Sequence, residues 1–512
     1  MTDRITSSYE HALQAAYYHI GNRGICVNTD RIAEAKAIVK AEIARQLAIA
    51  SNQWGVKVFA GAANAPDDKM SMSLGEANKF VNNLIEAKSL AMNINATQGK
   101  YALLTGLKTL GYAVVKITKK NAEGDYESNY STGELALQKM LAKNQFGYPG
   151  GDPAIRSILK VRELGKLYSS YLNARLLQRS GQSFFLSNYN VAGTLTGRRS
   201  SRRHTFGFGK NAQNFPKHSD VAQMYRRCLV SRPGNIFLMV DQVSAEDWPV
   251  SALSQNMHAL NELRDTTDVY GRHTRLGSLI FNISLTAKTP GEWKDSMERY
   301  LGKKARHASN YDMKAGRMSD ALAQEGFSFP ESQCQIILDK MEKIDPAVKA
   351  VFHKYVQHEI STSRMLVTPF GRERQFLGAR PNDNNSSVFK EAYAYIPQST
   401  VGDNTGFALL ALETKYPEVE RYIVQEGHDS IVQDIPEDVE TVYKTLLRTN
   451  AAFDRTIKFY NGIEVQIPIE AEVGYDFQTT IKVKDFSRAG VKEAIEKLRD
   501  KIASQDKKLV TV

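Results

Sequence analysis

Two aspartates stand where apolar runs end. Asp241 follows Asn235-Ile236-Phe237-Leu238-Met239-Val240, and Asp429 follows Gly427-His428, between Tyr422-Ile423-Val424-Gln425 and Ser430-Ile431-Val432-Gln433. Such runs predict strands, the first buried and the other two paired as a hairpin with Asp429 at its turn. A sheet that set the two carboxylates side by side would hold two divalent cations. Hard oxygen ligands suit magnesium, with manganese able to substitute, and a metal pair can activate an attacking hydroxyl while neutralising charge on a leaving phosphate. Each aspartate alone reads as readily as a turn or helix cap. A third segment changes the balance. Lys303, His307 and Tyr311 recur at every fourth position, so one helix face would carry a cation, an imidazole and an aromatic ring. That face suits a triphosphate with a base stacked beside it.

The elements that must position these residues can be read in outline. Thr29-Asp30 starts a helix whose apolar positions Ile32, Ala35, Ile38, Val39, Ile43 and Leu47 carry it to Gly55. Residues 61–68 read as a loop, 76–110 as further helices, 117–132 as an exposed polar loop, and Gly133 to Gln178 as helical again. Between Thr194 and Arg232 nine Lys or Arg accompany one acidic residue, Asp220, interleaved with Phe206, Phe208, Phe215 and Tyr225. That density favours a nucleic-acid groove over a solvated loop. A helical middle follows from about 248 to 362, then a strand-rich return from about 363 to 481 and a charged helical tail from Lys482. The α-rich block interrupts a β-rich platform, so Asp241 and Asp429 are expected in one sheet of an α+β fold.

At 512 residues the chain exceeds one ordinary domain, and its formal charge of +11 favours a polyanionic partner. Cys26, Cys228 and Cys334 show no zinc spacing and read as free thiols of a reducing, cytoplasmic compartment. No stretch reaches the length of a membrane span, and no signal-peptide layout is present.

Taken together, Thr194-Leu195-Thr196-Gly197-Arg198-Arg199-Ser200-Ser201, Asn211-Ala212-Gln213-Asn214-Phe215-Pro216, the Asp241 segment, the Lys303 to Tyr311 helix, Tyr395-Ile396-Pro397-Gln398-Ser399-Thr400 and Gly427-His428-Asp429 resemble, in order and spacing, the motifs of family A DNA polymerases. The resemblance runs from about Gly21 to Tyr475. It implies a right hand: N-terminal helices over 1–90, thumb 91–183, palm 184–247 and 390–481, fingers 248–389, and a tail over 482–512. It further implies that Asp241, Asp429 and the Gln242 carbonyl hold two magnesium ions, and that Glu246 crowds the sugar 2′ position. Lys303, His307 and His273 would contact the triphosphate, and Tyr311 would stack on the nucleotide and admit dideoxynucleotides. Arg198, Asn211, Gln213, Gln398 and His428 would touch the primer–template.

Three positions depart from the family pattern: His307 replaces a lysine, Ser430 a carboxylate and Ala315 an aromatic. The resemblance includes no proofreading exonuclease domain, and Asp125-Tyr126-Glu127 reads as a chance spacing in a polar loop. Proofreading is therefore expected from a separate exonuclease among other replisome proteins, as in a phage-type enzyme working in a bacterial host's cytoplasm. Two rivals stand: a single-subunit RNA polymerase on the same hand, disfavoured by Glu246, and a catalytically silent primer–template binding protein.

Overall fold

A five-stranded antiparallel sheet carries both aspartates. Its strands run in the order Ile423–Glu426, Ser430–Pro436, Asn235–Gln242, Ile469–Gly474, Thr480–Val483. The computed structural model describes residues 5, 7–60, 91–96, 102–120, 126–191, 193–217, 219–379 and 387–510. Alternation along the central strand sends Ile236, Leu238 and Val240 into the largest core and Phe237 into a second core on the opposite face. Asp241 belongs to that opposite face but meets solvent, so the second core stops short of the strand's end. A slip of one residue would drive the carboxylate into the main core, which fixes the register.

The main core joins the sheet to the helices Ser7–Arg23, Ser387–Lys415, Val439–Phe453 and Arg488–Val510. The first of these is also tied polar-side: the Arg199 guanidinium donates to the Tyr9 hydroxyl at 2.7 Å, and Arg372 donates to Asp403 at 2.8 Å. The second core packs the helix Thr29–Trp54 on Pro153–Leu167. As its sequence predicts, the former is capped by Asn28, whose side chain accepts from Arg31 N, and ends at Gly55 in the left-handed region. A third core, from Leu276 to Met341, closes the helices that carry Lys303 and His307.

Several expectations are corrected. Much of 76–110 and all of 61–68 lie outside the described residues, but Ala91–Asn93 is a strand, parallel to Lys57–Phe59, and only Leu103–Thr109 is helical there. The polar loop at 117–132 is a hairpin of Lys116–Lys120 with Tyr126–Tyr130, supported by a 2.6 Å Thr118 to Ser128 hydroxyl bond and by Lys116 lying over the Tyr130 ring; Asp125 is outside the described residues. The stretch from Gly133 breaks between Lys143 and Pro153, where Gly147, Gly150 and Gly151 all take positive φ, and Leu177 already lies in a strand. The strand-rich return contains the 29-residue helix Ser387–Lys415, with Pro397 inside it. That helix is buried on nearly every side, so the amphipathic period that announces a helix is missing. In the basic run, Phe215 and Tyr225 are core residues, Phe208 is half-buried over Arg175, and only Phe206 is exposed.

Candidate active site

Strand pairing brings the two aspartates together. Asp241 faces Ser430 on one neighbouring strand and Glu470 on the other, which sets Asp429 beside Asp241. Gln242 N donates to Asp429 O at 3.0 Å. The Gln242 side chain points the other way, donating to Thr405 Oγ1 at 2.9 Å and accepting from Asn404 Nδ2 at 2.7 Å, so the long buried helix anchors the strand end. The Asp429 turn is tight: His428 adopts φ 77, held by its N–H donating to Glu426 Oε1 at 2.8 Å and its carbonyl accepting from Thr405 Oγ1 at 2.9 Å.

Burial first, and then the nearby Asp429 and Glu470 charges, push the Asp241 carboxyl up to about 7. Solvent touches this side chain although protein surrounds it on most sides, which is the situation of a group on the floor of a concavity. Burial raises Asp429 as well. Neither carboxylate has an ion-pair partner among the described residues; the Lys217 charge only partly offsets both. Two crowded acids without a counter-ion are the donor set a divalent cation satisfies. No group of three or more candidate ligand side chains occurs among the described residues, and a pair of carboxylates is what magnesium uses when water and substrate phosphates complete its shell.

Glu246 forms the second node. It pairs with Arg198, accepts a hydrogen bond from the Tyr311 hydroxyl, and lies 3.8 Å from His307 Nδ1. Tyr311 caps the end of the helix Met297–Asn310 instead of continuing it, and its ring meets His307 edge-on at 5.1 Å. Burial lowers His307 despite the opposing Glu246 charge, although one side of the ring is exposed. Lys303 is exposed one turn earlier, without an ion-pair partner among the described residues. His273 sits on the adjacent helix Arg272–Phe281, and burial lowers it to about 4. Gly302 permits this proximity, because a Cβ there would stand 2.6 Å from Gly277 N and 2.8 Å from His273 O.

Sequence reasoning missed what holds this helix. Arg306, fully buried, donates to Asp247 and to Asp345 at 2.5 Å each, and Arg272 lies 3.3 Å from Asp247 and 3.7 Å from Asp345. Asp247 is the residue after Glu246, so one ionic cluster links the Lys303 helix to the sheet's catalytic end. Neither a motif nor a periodicity announces such partners.

On the far side of Asp429, Gln213 Nε2 donates to Glu426 Oε2 at 2.7 Å and lies 3.4 Å from His428 Nδ1. Asn211 Oδ1 accepts from Gln213 N at 2.9 Å and from Ser201 Oγ at 2.6 Å. Glu426, also unanticipated, is buried and pushed up to about 7 by burial, against the Arg199 charge. Burial lowers His428 to about 4, with Arg198 and Arg199 adding to the effect. Gln398 is half-buried on the long helix and has no hydrogen-bond partner among the described residues. Asp241, Gln242, Asp429, Glu246, Arg198, His307, Tyr311, Gln213 and His428 thus share contacts or mutual electrostatic influence. Asn211 joins them through Gln213, whereas Lys303, His273 and Gln398 flank them.

A sequence profile described as DNA polymerase family A matches residues 73–479. Over 330 residues, 64% of this chain, the sequence is 26% identical to the thermostable DNA polymerase I of Thermus filiformis, covering 36% of that protein. It is 23% identical over 436 residues, 82% of this chain and 44% of the relative, to the DNA polymerase of Bacillus phage SP01. The chain therefore spans less than half the length of either relative. The fold superposes on the structure titled "POL domain of Pol1 from M. smegmatis complex with DNA primer-template and dNTP" with a TM-score of 0.65 at 16% identity, covering 92% of this chain and 70% of that one. With the profile spanning most of the sequence and the right-hand polymerase fold present, the chain belongs to DNA polymerase family A.

Proposed function

We propose that this chain extends a primer along a DNA template, adding deoxynucleotides and releasing pyrophosphate. The supporting observation is the pair Asp241 and Asp429: adjacent across hydrogen-bonded strands, raised by burial, lacking a cationic partner among the described residues, and open to solvent where the second core ends. Two magnesium ions bound there would lower the pKa of the primer hydroxyl and neutralise charge on the triphosphate. Asp241, Asp429 and the Gln242 carbonyl are the residues that would hold them. Lys303, His307 and His273 bind the triphosphate oxygens, and Tyr311 stacks on the nucleotide. His307 is neutral in the empty protein; an arriving polyanion raises its pKa, so it is charged when pyrophosphate leaves. Glu246, tied to Tyr311, narrows the space beside the sugar 2′ carbon. Arg198, released from Glu246, together with Asn211, Gln213, Gln398 and His428, lines the primer–template path. The three cores correspond to thumb (91–183, with the helix Thr29–Trp54), palm (184–247 and 390–481) and fingers (248–389).

The test is primer extension by Asp241→Asn and Asp429→Asn, with duplex binding measured in parallel. Extension is abolished in each while duplex affinity is retained, because that affinity comes mainly from phosphate contacts. Magnesium-dependent extension by either variant overturns the assignment.

A further inference from the structure

The opposite end of the central strand holds a different kind of site. A cavity of about 350 Å³ is lined there by four guanidinium groups, Arg23, Arg179, Arg232 and Arg421, with Gln182 and Phe184. Its volume lies at the lower end of the range for small-molecule sites. Arg232 precedes Asn235, which pairs with Pro436 at the end of the sheet remote from Asp241. The strand alone separates the two places by about 20 Å, so the cavity is not part of the catalytic end.

All four side chains are fixed before any ligand arrives. Arg23 donates to Glu420 Oε2 at 2.7 Å and to Glu420 O at 2.9 Å; Arg232 Nε donates to Asp434 Oδ2 at 2.7 Å. Arg179 donates to Arg23 O at 2.9 Å and lies over the Phe184 ring, its centre 4.3 Å away. It stands at a two-residue turn in which Ser180 and Gly181 both take positive φ, a stiff hairpin connection. Arg421 donates to the Tyr422 hydroxyl at 2.9 Å. Two of the four charges are matched by carboxylates. Those of Arg179 and Arg421 have no carboxylate partner among the described residues, and no acidic side chain is among those lining the cavity. Carbonyl and hydroxyl bonds orient these two groups without neutralising them. Converging planar donors around unbalanced positive charge match a tetrahedral polyanion better than a single carboxylate.

We propose that this cavity is a second anion site that takes a phosphate group, carried either by a nucleic-acid strand or by a free polyphosphate. The assignment does not depend on the proposed polymerase activity. Inorganic tripolyphosphate is titrated calorimetrically into the full chain at low salt with EDTA, which removes metal-assisted binding at Asp241 and Asp429. Arg179→Ala/Arg421→Ala weakens binding about tenfold, the size expected for losing two charge-assisted contacts. Lys492→Ala/Lys497→Ala removes the same charge from the exposed C-terminal helix and leaves binding within about twofold if the effect is local and not one of net charge. Lys303→Ala likewise leaves it unchanged. Competition by a short single-stranded oligonucleotide assigns the site to a strand, and its failure to compete assigns it to free polyphosphate. No measurable binding, equal binding by the double variant, or loss that follows Lys303 or net charge would overturn the proposal. Retained single-nucleotide extension by the double variant checks that its fold is intact.

Discussion

Replacing a catalytic acid should stabilise this protein. The Asp241 carboxyl is pushed up to about 7 by burial and then by its acidic neighbours, whereas an unfolded aspartate titrates near ~3.9. Between those values the native state binds the extra proton, so the free energy of unfolding falls as pH rises through this window and stays low above it. The full shift corresponds to at most ~4 kcal/mol. Because water touches the side chain, ~1–2 kcal/mol is the expected size. Asp241→Asn, which cannot ionise, escapes that penalty. In thermal unfolding with EDTA at pH 8.5 the variant should therefore melt about 2–4 °C above the parent, and the gap should shrink towards pH 5. Magnesium should raise the parent's melting temperature at pH 8.5 and leave most of that gain absent from the variant, since a ligand stabilises only the state that binds it. An Asn variant no more stable than the parent at pH 8.5, or a gap of the same size at pH 5, refutes the electrostatic reasoning.

Arg306→Met leaves Asp247 and Asp345 buried with Arg272 as their remaining cation, at 3.3 and 3.7 Å. Breaking such a pair destabilises by about 3–5 kcal/mol, measured by denaturant unfolding; a change below ~1 kcal/mol would show that Arg272 suffices. Glu246→Ala removes the acceptor of the Tyr311 hydroxyl and should increase ribonucleotide incorporation relative to deoxynucleotides on one primed template; an unchanged ratio removes Glu246 from sugar selection. Supplied equally with deoxynucleotides, dideoxynucleotides should terminate the parent readily and Tyr311→Phe less readily, and strong exclusion by the parent contradicts the role given to Tyr311. His307→Lys keeps a cation at the triphosphate through high pH, so its single-turnover rate should hold where the parent's falls; superimposable pH profiles would place the proton donor elsewhere.

The sequence by itself determined the order and spacing of the polymerase motifs, the strands that end near Asp241 and Asp429, and the capped helix Thr29–Trp54. Each rests on local signals: alternating burial, a cap, a left-handed glycine. It also marked Glu246 and Tyr311, but not that their side chains would meet. Tertiary structure decided the rest. The helix Ser387–Lys415 was hidden because burial all round erases its period, and the hairpin at 116–130 because its faces stay polar. The Arg306 cluster, the buried Glu426 and the four-arginine cavity each draw on segments far apart in the chain. Ionic partners are chosen by where the backbone brings charges in three dimensions, and burial then decides how strongly each charge acts.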